Sequence, residues 1–135
     1  MARFLLDTQA FLHLYENGLE GLSSRVREAL ANLENEFLLS TISVTEIAVK
    51  VGIKKLVFPK TDLGTPEEEV SRAAEELRIT VIPYTLAHAN KLFDLPLHHR
   101  DPFDRMLIAT ALGEGVPVIS GDAEFNQYNG LQVIW

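Results

Sequence analysis

Cysteine is absent from the 135-residue sequence. That excludes a disulfide framework and any metal centre held by thiolates, and it permits a reducing compartment. Long apolar runs are missing as well. The stretch "MARFLLDTQAFLHLYENG" is interrupted by Asp7, Gln9 and His13, so it reads as neither a signal peptide nor a membrane span, and the expected location is the cytoplasm. Basic residues are scarce: 12 Lys and Arg face 19 Asp and Glu, a formal net charge of −7. This balance argues against a general polyanion binder, whose affinity comes from cations that displace counterions. The objection weakens if the acids are gathered where metal ions sit. No glycine-rich phosphate loop follows the first apolar run, which argues against a P-loop or dinucleotide fold. With no internal repeat, low-complexity tract or linker, a single domain over 1–135 with a substantial core is expected.

What is present is an alternation of short branched apolar runs with helix-like stretches. "RFLL" (3–6), "FLLS" (37–40), "TVIP" (80–83), "VPVIS" (116–120) and "LQVIW" (131–135) read as five strands. Helices are predicted over 10–15, 23–33 after a Ser cap, 44–56 ending near Gly52, 65–77, 86–95 and 103–115, with 58–64 as a loop. The fourth helix carries Thr65 as N-cap, Pro66 at the first position and Glu68 at N3. Continuously apolar strands separated by helices imply a parallel sheet covered on both faces. In such α/β sheets, ligands bind beyond the carboxyl ends of the strands.

Acidic residues fall at those ends. Asp7 follows the first strand, Asp122 follows the fourth in "VPVISGD", and Glu46 lies at the start of the helix after the second strand. In "DPFDRMLIATA" (101–111), Asp101 and Asp104 open a helix. Each has a structural reading. Asp101 is a good N-cap ahead of Pro102, and Asp104 at N3 meets unpaired N–H groups and the positive end of the helix dipole. Ser43 to Glu46 matches a capping box, and Asp7 and Asp122 suit caps or turns. Taken jointly the picture changes. Four carboxylates at one sheet edge repel and stay ionised together only if a cation compensates them. Oxygen-only ligands suit Mg²⁺ or Mn²⁺, which activate water and neutralise charge on a phosphodiester. Ser120 is placed to orient a bound water or to satisfy a turn. Other constellations are weaker: His98 and His99 are adjacent and diverge, His13 and His88 sit in helical patterns, and Asp7-Thr8-Gln9 lacks the second acid of an aspartyl-phosphate phosphatase. Lys50, Lys54, Lys55 and Lys60 form a local basic cluster, which a solvated helix face explains more often than a phosphate track.

The stretches "FLLDTQAFLHL", "STISVTEIAVKVGIKKL", "HHRDPFDRMLIATALGEGVPVISGD" and the closing "LQVIW" together resemble the PIN-domain family. Within it they resemble the VapC-like toxins of prokaryotic type II toxin–antitoxin modules, in the group with a DPFDR motif. The resemblance implies an α/β, three-layer fold with a five-stranded parallel sheet in the order 3-2-1-4-5. It also implies a Mg²⁺- or Mn²⁺-dependent endoribonuclease, a homodimer, and restraint by a cognate antitoxin. Asp7, Glu46, Asp104 and Asp122 match the catalytic, metal-binding acids of that family, and Ser120 matches a supporting hydroxyl position. Asp101 belongs to the group motif but not to the acidic quartet. Lys50, Lys54 and Arg105 are the candidates for contacts to the RNA backbone. The rival readings are a DNA nuclease of the same fold, a catalytically silent interaction module, and a receiver-type phosphate-transfer domain. The intact quartet counts against the silent module. The receiver lacks its acidic pair after the first strand. For dimer contacts, "FLHLY" and "LAHANKLF" are the helical segments with apolar residues to spare.

Overall fold

The computed structural model describes residues 1–59, 64–98 and 100–135. Five strands form one parallel sheet: β1 (Arg3–Leu6), β2 (Glu36–Ser40), β3 (Ile79–Ile82), β4 (Val118–Ile119) and β5 (Val133–Ile134). Their order is β3-β2-β1-β4-β5, which agrees with the expected fold class. Side chains on a strand alternate between faces, and here both faces are apolar. Phe4, Leu6, Phe37 and Leu39 enter one core, and Leu5 and Leu38 enter the other. In register, Leu5 pairs with Leu38 and with Val118, and all three are sealed from solvent. Continuous apolar strands are the consequence of burying a parallel sheet on both sides.

Among the described residues, six helices supply the outer layers: α1 (Thr8–Asn17), α2 (Ser24–Ala31), α3 (Thr41–Gly52), α4 (Pro66–Glu76), α5 (Leu86–Phe93) and α6 (Pro102–Glu114). The first core takes Phe11 of α1, Val26 of α2, Ile47 of α3 and Val70 of α4. The second takes Leu107, Ile108 and Ala111 of α6, together with Phe125 and Tyr128. Helix α6 ends where Gly115 turns left-handed at φ 68, and its N–H donates to Ala111 and Leu112 carbonyls. Glycine suits this position because a Cβ is strained there. None of the described helices is long and apolar enough to cross a membrane.

Three expectations need correction. Helix α3 starts at Thr41 rather than 44, because Ser40 at the end of β2 already caps it, accepting from Ile42 N–H at 3.0 Å. Ser43 and Glu46 therefore lie inside the helix and form no capping box. The last strands are shorter than their apolar runs: ladder pairing holds Val118–Ile119 and Val133–Ile134, and Pro117, with no N–H to donate, stands just before β4. A 3₁₀ turn at Ala123–Gln127, capped by Asp122, was not anticipated. The spare apolar surface is also redistributed. Phe11, Leu12 and Leu14 of α1 are core residues, whereas Leu86 and Phe93 of α5 are 91% and 87% exposed.

Candidate acidic site at the carboxyl edge of the sheet

The chain leaves β1 at its carboxyl end and turns at once into α1. Asp7 occupies that junction as the N-cap, with Oδ1 accepting from Ala10 N–H at 2.7 Å. Its own N–H donates to the Ile119 carbonyl at 3.1 Å, which ties the junction to β4. Asp7 is 4% exposed. Ser120, fully buried beside it, hydrogen bonds the Asp7 carboxylate and accepts from Asp122 N–H at 3.1 Å. One hydroxyl thus links the acid after β1 to the acid after β4. Asp122 in turn caps the 3₁₀ turn, accepting from Glu124 N–H at 2.9 Å.

Glu46 projects from the second turn of α3 and is buried. Oε1 accepts from the Thr8 hydroxyl at 2.7 Å, and that hydroxyl lies 2.9 Å from Ser43 Oγ. Oε2 holds the Lys50 ammonium at 2.6 Å. Thr8 is not singled out by the sequence, and Ser43 is read there only as a helix cap. The signal available was adjacency, since Thr8 follows Asp7 and Ser43 stands one turn before Glu46, but only the fold shows that α1 and α3 bring them together. At the head of α6, Asp101 caps the helix, accepting from Phe103 N–H at 2.9 Å and Asp104 N–H at 3.3 Å. That is the structural reading of Asp101. Asp104, at N3, is half-buried.

The electrostatics show that these acids share a space. Burial pushes the Asp7 carboxyl up to about 6; hydrogen bonds from Ser120 and Ala10 oppose the rise, and the charges of Glu46 and Asp122 add to it. Burial also pushes Asp104 up to about 7, reinforced by Asp101, Glu46, Asp7 and Asp122. The charges of Glu46 and Asp122 therefore act on both Asp7 and Asp104. Among the described residues, no three His, Asp or Glu side chains converge closely enough to hold a metal ion as they stand. The donor set nonetheless fits a hard divalent cation: every donor is oxygen, and like-charge repulsion is the cost such a cation removes.

The other candidates are placed as follows. Lys50 is ion-paired to Glu46. Lys54 is exposed, at φ 61 beyond α3, and faces a groove with Val51, Val57 and Phe58. The Arg105 guanidinium donates to the carbonyls of Pro96 at 2.8 Å and Leu95 at 3.4 Å, so it braces the connection before α6. His88 is buried: Nδ1 accepts from Thr85 N–H at 3.1 Å and Nε2 meets Glu114 at 3.0 Å, which joins α5 to α6. His98 packs edge-on against Tyr128. His99, the second member of the histidine pair, and Lys60 lie outside the described residues. Gly121, between Ser120 and Asp122, was also not singled out. A Cβ there would come within 2.8 Å of the Trp135 indole, so only glycine lets Trp135 lie against the strand end.

Comparison with known proteins agrees with this architecture. A chain of VapBC2 from Rickettsia felis, solved bound to promoter DNA, has a TM-score of 0.72 at 13% identity, over 98% of both chains. A chain of DNA-bound VapBC from Salmonella typhimurium has a TM-score of 0.68 at 20% identity, covering 99% of this chain and 98% of that one. A chain of VapBC-1 from nontypeable Haemophilus influenzae has a TM-score of 0.69 at 16% identity, covering 98% and 96%. No curated protein sequence matches. At these identities the structures bear on the fold alone. The PIN domain family model matches residues 4–131, nearly the whole sequence, and the chain belongs to the PIN domain family.

Proposed function

We propose that this chain is a metal-dependent endoribonuclease, the toxin of a type II toxin–antitoxin module of the DPFDR group. One observation carries the reading: carboxylates from four separate elements lie near the carboxyl edge of the sheet, close enough to act on one another's charge, and two of them are pushed up to about 6 and about 7, by burial first and by like charge second. Perturbed carboxyls gathered in this way are a feature of functional sites. Asp7, Glu46, Asp104 and Asp122 would hold Mg²⁺ or Mn²⁺. When bound, such a cation supplies an acidified water and neutralises charge on the phosphodiester.

The chain's own residues prepare that site. Ser120 and the Ala10 N–H fix the orientation of Asp7. Thr8 fixes Glu46, and Lys50 neutralises it. Asp101 starts α6 at a residue that sets Asp104 toward the other acids. The expected partners are RNA, an antitoxin and a second copy of the chain, acting in the cytoplasm. The solved relatives are VapBC complexes, which supports the antitoxin. The bare α5 face around Leu86 and Phe93 supports the homodimer, with light scattering at about twice 15.1 kDa as its check. The test of the activity is cleavage of single-stranded RNA in Mn²⁺, in EDTA, and after Mn²⁺ is restored, with single-stranded DNA in parallel. Cleavage that persists in EDTA sinks the metal mechanism, and cleavage of DNA alone transfers the reading to the rival substrate.

A further inference from the structure

Beside the acidic site runs an open groove of about 620 Å³ whose walls include Gln9, His13, Glu16, Lys50, Lys55 and Trp135. Three of these residues are one short step from three of the four acids. Gln9 follows Asp7 and Thr8 on α1, Lys50 is paired to Glu46, and Trp135 lies against Gly121, the neighbour of Asp122. Lys50, whose ammonium sits 2.6 Å from the Glu46 carboxylate, is the side chain shared by the groove and the site. Of its two lysines, Lys50 is already paired to Glu46, whereas Lys55 has no carboxylate partner among the described residues. Trp135 is 46% exposed although it is held on two sides, by Gly121 on one face and by His13 at right angles, 6.1 Å between ring centres. His13 is itself anchored by donating to the Glu20 carbonyl at 2.6 Å. A half-bare indole that shares a groove with an exposed lysine is a combination that binds single-stranded nucleic acid, with a base on the ring and a phosphate on the ammonium.

We propose that this groove carries the single-stranded RNA flanking the scissile bond, with a base against Trp135 and a backbone phosphate on Lys55. The inference rests on the nuclease reading and adds to it the direction in which the strand leaves the site. The sequence holds one tryptophan and three tyrosines, so emission excited to the red of the tyrosine band reports on this wall alone. The probe is a mixed-sequence single-stranded RNA hexamer, with the protein kept in EDTA. It should quench the emission saturably, and less strongly as salt rises. Lys55→Glu should raise KM for a longer RNA by about tenfold, with a smaller change in kcat, and should flatten the salt slope of binding by ~0.7, one single-strand phosphate contact. Trp135→Ala should weaken hexamer binding by about tenfold, and Trp135→Phe should restore most of it.

If the wild type cleaves RNA while the hexamer leaves the emission unchanged and Lys55→Glu leaves KM unchanged, the groove assignment falls and the nuclease reading stands. If the wild type neither cleaves nor binds RNA in Mn²⁺, the nuclease reading fails and takes the groove with it. Quenching by a co-expressed protein partner with none by the hexamer assigns the wall to protein and overturns the proposal.

Discussion

Helices α1 and α6 both open on an aspartate cap, and the two caps have different fates. Asp7 is buried where the central strand β1 feeds directly into α1, so a single carboxylate both caps the helix and joins the acidic site. At α6 the tasks are divided. Asp101, exposed at the end of a surface connection, accepts the N–H groups, while Asp104 at N3 turns toward the other acids. A helix N-terminus attracts carboxylates in both cases. Burial decides which of them becomes chemically unusual: it is the largest cause of the shift at both Asp7 and Asp104.

The division at α6 is the sharpest to test. Asp104→Asn keeps the shape of the side chain but removes its charge, so RNA cleavage should fall by about 100-fold or more, the scale of losing one electrostatic element of an active site. The circular dichroism melt should stay cooperative. A variant that still cuts at the wild-type rate would remove Asp104 from the site. At α1 the two tasks coincide, so Asp7→Asn should lose activity while keeping the cap. Asp7→Ala should lose activity and in addition ~1 kcal/mol of stability, read from urea melts of the two variants side by side.

Protonation provides a third contrast. Folding raises Asp7 to about 6 and Asp104 to about 7, so between pH ~4 and ~7 the folded chain holds protons that the unfolded chain has released. Stability of the metal-free protein should therefore fall as pH rises through that window and recover on mild acidification. Mn²⁺ should raise the melting temperature more at pH 8 than at pH 5, since it binds the ionised native site. Melts at both pH values, with EDTA and with Mn²⁺, check this, and in Asp104→Asn the fall with pH should be shallower. An opposite pH trend would mean that the buried acids are stabilised as anions.

The smallest effect belongs to the exposed cap. Asp101→Ser should keep stability and cleavage, because serine caps about as well as aspartate. Asp101→Ala should cost ~1 kcal/mol and little turnover. Loss of cleavage in Asp101→Ser with an unchanged melt would show that Asp101 also acts in the reaction.

Much of this arrangement can be read along the chain. Thr65-Pro66 and Asp101-Pro102 start helices where capping chemistry places them, and Gly115 stops α6. The acids at strand ends were visible because strand, turn and helix are local features of short range. The start of α3 was not. Ser43 and Glu46 imitate a capping box, but the pairing of β2 with its neighbours carries the strand to Ser40, which caps first. Arg105 read as a cation available to phosphate, yet its guanidinium is taken by two carbonyls nine and ten residues away.

The amino-acid sequence by itself determined the element types, their alternation and hence a doubly covered parallel sheet, because capping, apolar patterning and the stereochemistry of proline and glycine act over a few residues. It also determined which carboxylates lie at strand ends and helix starts. Only the tertiary structure decided how they behave. Burial of Asp7, the reach of Thr8 to Glu46 across 38 positions, and the contact of Trp135 with Gly121 arise from elements far apart in the chain. Desolvation and Coulomb repulsion depend on distance through space, and those distances exist only once the sheet and helices have packed.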